Sequence, residues 1–223
     1  MNKTTIKTFF QKNWRLKYIS YAFIYLPWFF LMEHIVTADY ARLHIINTPL
    51  DDLIPFCEYF IIPYYMWFFY IVGSCIFMYF RSTDEEFRHF AWSIIIGMSA
   101  SLVICFLYPS GLTLRPAAMP RDNIFTRLLG AIWLADTPTN VFPSIHVYVS
   151  LAIHVGLNKC LALQKHRMIR LLSLIVCTLI CISTVFIKQH SFMDVLGAGV
   201  LMLVLYPCIY SSKAIRNFIF KRA

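Results

Sequence analysis

Residues 171–212 read LLSLIVCTLICISTVFI, then KQHSFMD, then VLGAGVLMLVLYPCIYSS, so two long apolar runs meet at one cluster of titratable groups. A bilayer-spanning helix takes about 20 predominantly apolar residues, and each run comes close to that. The connecting stretch, Lys188-Gln189-His190-Ser191-Phe192-Met193-Asp194, holds a lysine, a histidine and an aspartate. Ionisable groups set against membrane-grade segments are read as functional by default. If a helix begins at this stretch, His190 and Asp194 lie four apart and share one face. Asp194 then accepts a hydrogen bond from one imidazole nitrogen and leaves the other free for chemistry.

Upstream, charge-free runs of the same kind occupy 18–32, 59–80, 89–114 and 137–158. The first is short but extends through Ile35 and Val36, with Lys17 able to snorkel. It opens after a basic segment, yet no small-residue cleavage site follows, so it reads as a permanent helix and not a signal peptide. The chain is therefore expected to be an all-α membrane protein, a single domain over 1–223. Its six transmembrane helices are expected near 18–36, 59–80, 89–108, 142–158, 169–187 and 191–211, with a long outer loop over 109–141. Composition agrees: 59% of residues are hydrophobic, 17% aromatic and only 14% charged, whereas a soluble domain is about one quarter charged. The seven cysteines form no CxxC pair and no zinc spacing, and most lie inside apolar runs as packing residues.

A net charge of +9 resembles a nucleic-acid signal until the charges are placed. Six spans put both termini on one side. That side holds Lys3, Lys7, Lys12, Arg15 and Lys17, then Arg81 and Arg88, then Lys159, Lys165, Arg167 and Arg170, and finally Lys213, Arg216, Lys221 and Arg222. These are 15 of the 20 basic residues, against Arg42, Arg115, Arg121, Arg127 and Lys188 opposite. The positive-inside rule makes both termini cytoplasmic, and no nucleic-acid partner is needed to explain the charge. The tail from Ala214 to Phe220 reads as interfacial, drawn to anionic lipid heads. A short chain without targeting signals fits a bacterial cytoplasmic membrane.

The outer segments then span roughly 33–57, 109–141 and 188–193. In the first, Pro49 and Pro55 bracket Asp51-Asp52, and the acidic residues read as a solvated loop cap. His34 and His44 lack a carboxylate at ligand spacing and make a weak metal signal. In the second, Asp122 is expected to cap a short amphipathic helix from Asn123 to about Trp133, lying on the membrane or roofing a pocket. The segment closes in Val141-Phe142-Pro143-Ser144-Ile145-His146, where proline and serine start a helix and place His146 in its first turn. His154 lies about 12 Å deeper at 1.5 Å per helical residue and reads as a buried, hydrogen-bonded histidine. A channel is set aside because the spans lack repeated polar positions.

His146 and His190 thus start helices at one membrane surface, with Asp194 and several permanent cations beside them. Phosphoryl transfer from a lipid needs such a set. One histidine attacks phosphorus and forms a covalent intermediate, and the other, protonated, gives its proton to the leaving alkoxide. Cations and helix N-terminal amides stabilise charge on the equatorial oxygens. No carboxylate cluster calls for a metal, so the expected chemistry is metal-independent and needs no cofactor.

These residues resemble the phosphatidic acid phosphatase type 2 superfamily of membrane lipid phosphatases, related to vanadium haloperoxidases. The family pattern runs Lys-x6-Arg-Pro, then Pro-Ser-Gly-His, then Ser-Arg-x5-His-x3-Asp. Arg115-Pro116 matches the end of the first part, Pro143-Ser144-Ile145-His146 the second, and Ser183-Thr184 with His190 and Asp194 the third. The likeness covers roughly 108–199 and implies a six-helix core of that family's type. It implies that His190 is the nucleophile, that Asp194 orients it, and that His146 is the general acid that later activates water. Arg115 and Ser144 would hold phosphate oxygens. The family lysine falls at Tyr108 and a family arginine at Thr184, so Lys188, Arg121 and Arg127 are the candidate replacement cations. The substituted pattern also resembles inositol-phosphorylceramide synthase-type phosphotransferases. The expected function is a phosphatase acting on a membrane phospholipid or polyprenyl phosphate at the extracytoplasmic face. Two alternatives stay open: a phosphotransferase that passes phosphate or a phospho-headgroup to a lipid or polyol hydroxyl, and a non-catalytic lipid binder.

Overall fold

The computed structural model describes residues 13–36 and 42–211. The basic residues Lys3, Lys7 and Lys12, Asp39 and the tail 212–223 lie outside them, and so does the expected interfacial segment 214–220. The described chain is mostly helical. Its helices are α1 (Leu16–Ile19), α2 (Ala22–Ile35), α3 (Pro49–Leu53), α4 (Ile61–Arg81), α5 (Asp84–Leu107), α6 (Ile124–Ala135), α7 (Ile145–Lys159), α8 (Arg167–Phe186) and α9 (Phe192–Tyr210). Two-residue strands β1 (His44–Ile45) and β2 (Ser110–Gly111) pair in parallel, and Gly111 bridges to Thr139. Backbone hydrogen bonds thereby knit the connections that precede α3, α6 and α7 to one another.

Four helical segments are long and apolar enough to cross a membrane: Glu58–Arg81, Asp84–Leu107, Arg167–Phe186 and Phe192–Tyr210. The helices at the other two expected spans, α2 and α7, are shorter, with 14 and 15 residues. The expected start of the third helix also moves. Thr83 and Glu86 form a reciprocal capping box, so α5 begins at Asp84, five residues before the apolar run.

The shortness of α7 follows from where it sits. It is packed by α4, α5, α8 and α9, and Val147, Tyr148, Val149, Ala152, Ile153 and Leu157 are all buried. A helix covered by protein on every side does not need a lipid-facing surface. Small residues let the helices close up: Gly97 of α5 lies against the Tyr148 ring, and Gly156 of α7 against Phe90. Deeper in this core, His154 Nδ1 lies 3.0 Å from Ser173 Oγ, and Tyr70 Oη 2.7 Å from the same oxygen. His154 is thus hydrogen-bonded glue between α4, α7 and α8, as its place in the sequence predicts. By contrast, α2 packs chiefly on α5 and leaves Phe23, Leu26 and Phe30 exposed.

Candidate active site

Ser144, His146, His190 and Asp194 are set by two helix starts. Ser144 is the N-cap of α7, where its hydroxyl accepts from Val147 N–H at 3.4 Å. Its own N–H donates to the backbone carbonyl of Asp194 at 3.2 Å, which ties the first turns of α7 and α9 together. His146 is therefore in the first turn of α7, as its sequence context predicts. Both polar groups of fully buried Ser144 are engaged in this joint, and its side chain does not line the cavity described below.

His190 reaches the same place by a different route from the expected helix face. It lies just outside α9, before the N-cap Ser191. Asp194 folds back as the capping-box residue: its Oδ2 accepts from Ser191 N–H at 2.8 Å and from His190 Nδ1–H at 3.3 Å. One carboxylate oxygen thus caps the helix and orients the histidine, while Oδ1 is buried without a protein partner among the described residues. His190 Nε2 then faces His146 Nδ1 at 3.4 Å, and His146 Nε2 lies 2.9 Å from Tyr64 Oη of α4. Asp194, His190, His146 and Tyr64 form a continuous line of hydrogen-bonding groups.

Tyr64 Oη is also 3.5 Å from Asp136 Oδ2, at the C-terminal end of α6. Gln189 Nε2 donates to the same carboxylate oxygen, and Gln189 Oε1 accepts from Arg115 at 3.0 Å. Arg115 also donates to the carbonyls of Trp133 and Asp136, at 3.2 and 2.8 Å. Gln189 therefore links Arg115 to the Asp136 carboxylate, while Arg115 itself does not line the cavity described below. Burial pushes the Asp136 carboxyl above its ordinary value, against the opposite pull of His190 and Arg115.

The other expected phosphate cations are engaged elsewhere. Arg121 donates two bonds to buried Glu58, at 2.7 and 2.8 Å, and Arg127 pairs with Asp122 at 3.0 Å. That pairing also removes Asp122 as the cap of α6. Asn123 takes the role instead, accepting from Phe125 and Thr126 N–H at 2.9 and 3.0 Å. Lys188 is buried, and its ammonium donates to the carbonyls of Asp51 and Ile54 at 2.7 and 2.6 Å.

Asp51 is itself buried, contrary to a solvated loop cap. Its carboxylate accepts from Ser191 Oγ and Phe192 N–H, both at 2.7 Å, and from the Thr48 N–H and hydroxyl at 2.8 and 2.9 Å. A segment far upstream in the chain therefore clamps the start of α9, directly beside His190. Burial raises the Asp51 carboxyl, but the bonds from Ser191, Phe192 and Thr48 outweigh it and hold the group below its ordinary value.

A cavity of about 260 Å³ opens onto His146, His190, Gln189 and Asp136. Its walls are otherwise mostly apolar, with Tyr25, Phe29 and Phe30 of α2 and Trp67 and Phe68 of α4. The Trp67 ring lies 4.4 Å from that of His146, centroid to centroid. Sequence reasoning passed over Tyr64, Gln189 and Asp136 as site residues and read Asp51 as part of a solvated loop cap. Gln189 adjoins a flagged histidine, and Asp136 sits in the flagged outer loop. Tyr64 carries no sequence signal, because a tyrosine at the end of a span reads as part of the interfacial aromatic belt.

His44 stacks on Tyr108 at 4.0 Å, and no group of metal-ligating side chains forms among the described residues. Compared with family models, curated proteins and solved structures, the chain matches none. The chemical reading rests on the side chains themselves.

Proposed function

We propose that this protein is an integral membrane enzyme that cleaves a lipid phosphate monoester or diphosphate at the outer face, through a phosphohistidine on His190. The observation that carries this is the line Asp194–His190–His146 at one end of a mostly apolar cavity. With Nδ1–H donated to Asp194, His190 keeps its lone pair on Nε2, the nitrogen turned toward the cavity and His146. Attack there forms a P–N bond and breaks the P–O bond to the leaving group, a lipid alkoxide from a monoester or a lipid phosphate from a diphosphate, which takes its proton from His146. His146, now neutral, takes a proton from water as the water attacks phosphorus. The P–N bond then breaks, and phosphate leaves with His190 restored. Of the expected cations, Arg115 is the one bonded to a residue of the cavity wall, Gln189, and is assigned to the developing negative charge.

The aromatic walls supply the surface for a hydrocarbon chain, which favours a lipid over a soluble phosphate ester. In this reading α2 and α7 complete six spans, both termini are cytoplasmic, and the histidines face the extracytoplasmic side. The resemblance to the type 2 phosphatidic acid phosphatases agrees with these roles. Transfer to a lipid or polyol hydroxyl shares every step up to the acceptor, and the scarcity of polar lining makes it the second reading.

Purified protein incubated with phosphatidic acid, phosphatidylglycerophosphate and undecaprenyl diphosphate tests the proposal. Phosphate release without an added alcohol is expected. Turnover that requires an acceptor would replace hydrolysis by transfer. His190→Ala is expected to lower either activity by several orders of magnitude; an unchanged rate would remove His190 as the nucleophile, and no turnover of any substrate by the parent would leave the lipid-binder reading.

A further inference from the structure

Asp194 explains how His190 is oriented, but a general acid needs orienting as much as a nucleophile does. His146 has two ring nitrogens, and only one can serve the reacting oxygen. Nδ1 faces His190 Nε2 at 3.4 Å, and Nε2 faces Tyr64 Oη at 2.9 Å. The Tyr64 side chain is fully buried, so its hydroxyl depends on protein partners, and the second one is Asp136 Oδ2 at 3.5 Å. Asp136 Oδ2 already accepts from Gln189 Nε2–H, so it carries no proton and the Tyr64 O–H donates to it. The phenolic oxygen is then left to accept from His146 Nε2–H.

We infer that Tyr64, backed by Asp136, is the positioning residue for His146. The pair fixes the Nε2–H tautomer, so the proton of catalysis is given and taken at Nδ1. This rests on the proposed phosphohistidine reaction, and it gives each histidine its own acceptor: Asp194 for His190, and Asp136 acting through Tyr64 for His146. The proton count closes over a turnover. Nδ1–H goes to the leaving alkoxide, Nδ1 is refilled from the attacking water, and the Nε2–H···Tyr64–O–H···Asp136 chain keeps both its protons throughout. Gln189 donates to the same Asp136 oxygen and accepts from Arg115, so the orienting carboxylate is held by the rim of the phosphate site. The charged and titratable groups facing His146 are thus His190 from the start of α9, Tyr64 from α4 and Asp136 from the end of α6. Asp194 stands behind the first and Arg115 behind the last.

The test uses the full-length protein in detergent and the conservative variants Tyr64→Phe and Asp136→Asn. Nitrogen NMR of ¹⁵N-histidine protein, with His146 assigned from a His146→Gln sample, reads the tautomer without turnover. Above the alkaline limb of kcat, where His146 has lost its catalytic proton, the Nε2–H form is expected in the parent and a mixture of tautomers in Tyr64→Phe; an Nδ1–H form in the parent there would overturn the assignment. In kinetics, Tyr64→Phe is expected to lower kcat about tenfold or more with KM little changed. Loss of the acceptor that stabilises the imidazolium should move the alkaline limb of kcat to lower pH. Asp136→Asn should move it the same way by less. A limb that stays in place in Tyr64→Phe would reduce Tyr64 to a packing residue. If the parent turns over no lipid phosphate, the proposed reaction fails, and the tautomer alone then decides the role of Tyr64.

Discussion

At Lys188 two demands meet in one side chain. The residue follows α8 in the left-handed conformation, with φ of 56°. Gln189 N–H bonds to Thr184 C=O and Lys188 N–H to Val185 C=O, the paired bonds that close a helix with a residue usually glycine. A lysine there costs about 1 kcal/mol relative to glycine, and its ammonium offsets this by holding the carbonyls of Asp51 and Ile54. Lys188→Met keeps the backbone cost and strands two carbonyls, so it should destabilise by on the order of 2–4 kcal/mol. Lys188→Gly should be milder by about 1 kcal/mol; if the ammonium did little, thermal unfolding in detergent would instead show Lys188→Met neutral and Lys188→Gly stabilising. The sequence marked Lys188 as special and assigned it the wrong kind of partner, because a backbone carbonyl 137 positions away leaves no trace in a motif. Asp51 was hidden for the same reason. Its native pKa lies below the unfolded value, so its contribution is complete above about pH 3.9 and drains away as pH falls through the native value. Asp51→Asn should therefore flatten the acid side of the stability profile; an unchanged slope below pH 4 would remove the carboxylate from that account.

Among the elements, the four long spans were legible because composition alone places an apolar helix of about 20 residues in a bilayer. The joint between α5 and α7 was not, since two glycines in an apolar run look like any others. A Cβ on Gly97 would stand 1.8 Å from a ring carbon of buried Tyr148, whose hydroxyl donates to the carbonyl of Ser93 at 2.9 Å. Gly97→Ala should consequently force the two helices apart and cost about 1–3 kcal/mol. Gly73→Ala, where nothing lies within 4 Å, should be neutral or slightly stabilising. Equal effects at the two positions would show that close helix approach is not what Gly97 provides. The start of α6 teaches a related lesson. Asp122 and Asn123 are both good caps, and what separates them is Arg127, which takes Asp122, and Glu58, which accepts from Asn123 Nδ2 at 3.0 Å.

Across the whole molecule, the site is assembled from the starts of α4, α7 and α9, the end of α6 and the loop holding Arg115. The sequence named one member of most of these, because histidines and arginines stand out against apolar runs. It missed the members that look like ordinary aromatic or amide residues. The 15 residues of α7 cover only about 22 Å at 1.5 Å each, against a hydrocarbon layer of about 30 Å. On the six-span proposal that shortfall falls at the Lys159 end of α7, because Ser144 N–H bonds the Asp194 carbonyl and holds the first turns of α7 and α9 level. A thicker host membrane would then be taken up by thinning of the lipid at the face away from the histidine pair, and turnover should change little as the acyl chains lengthen.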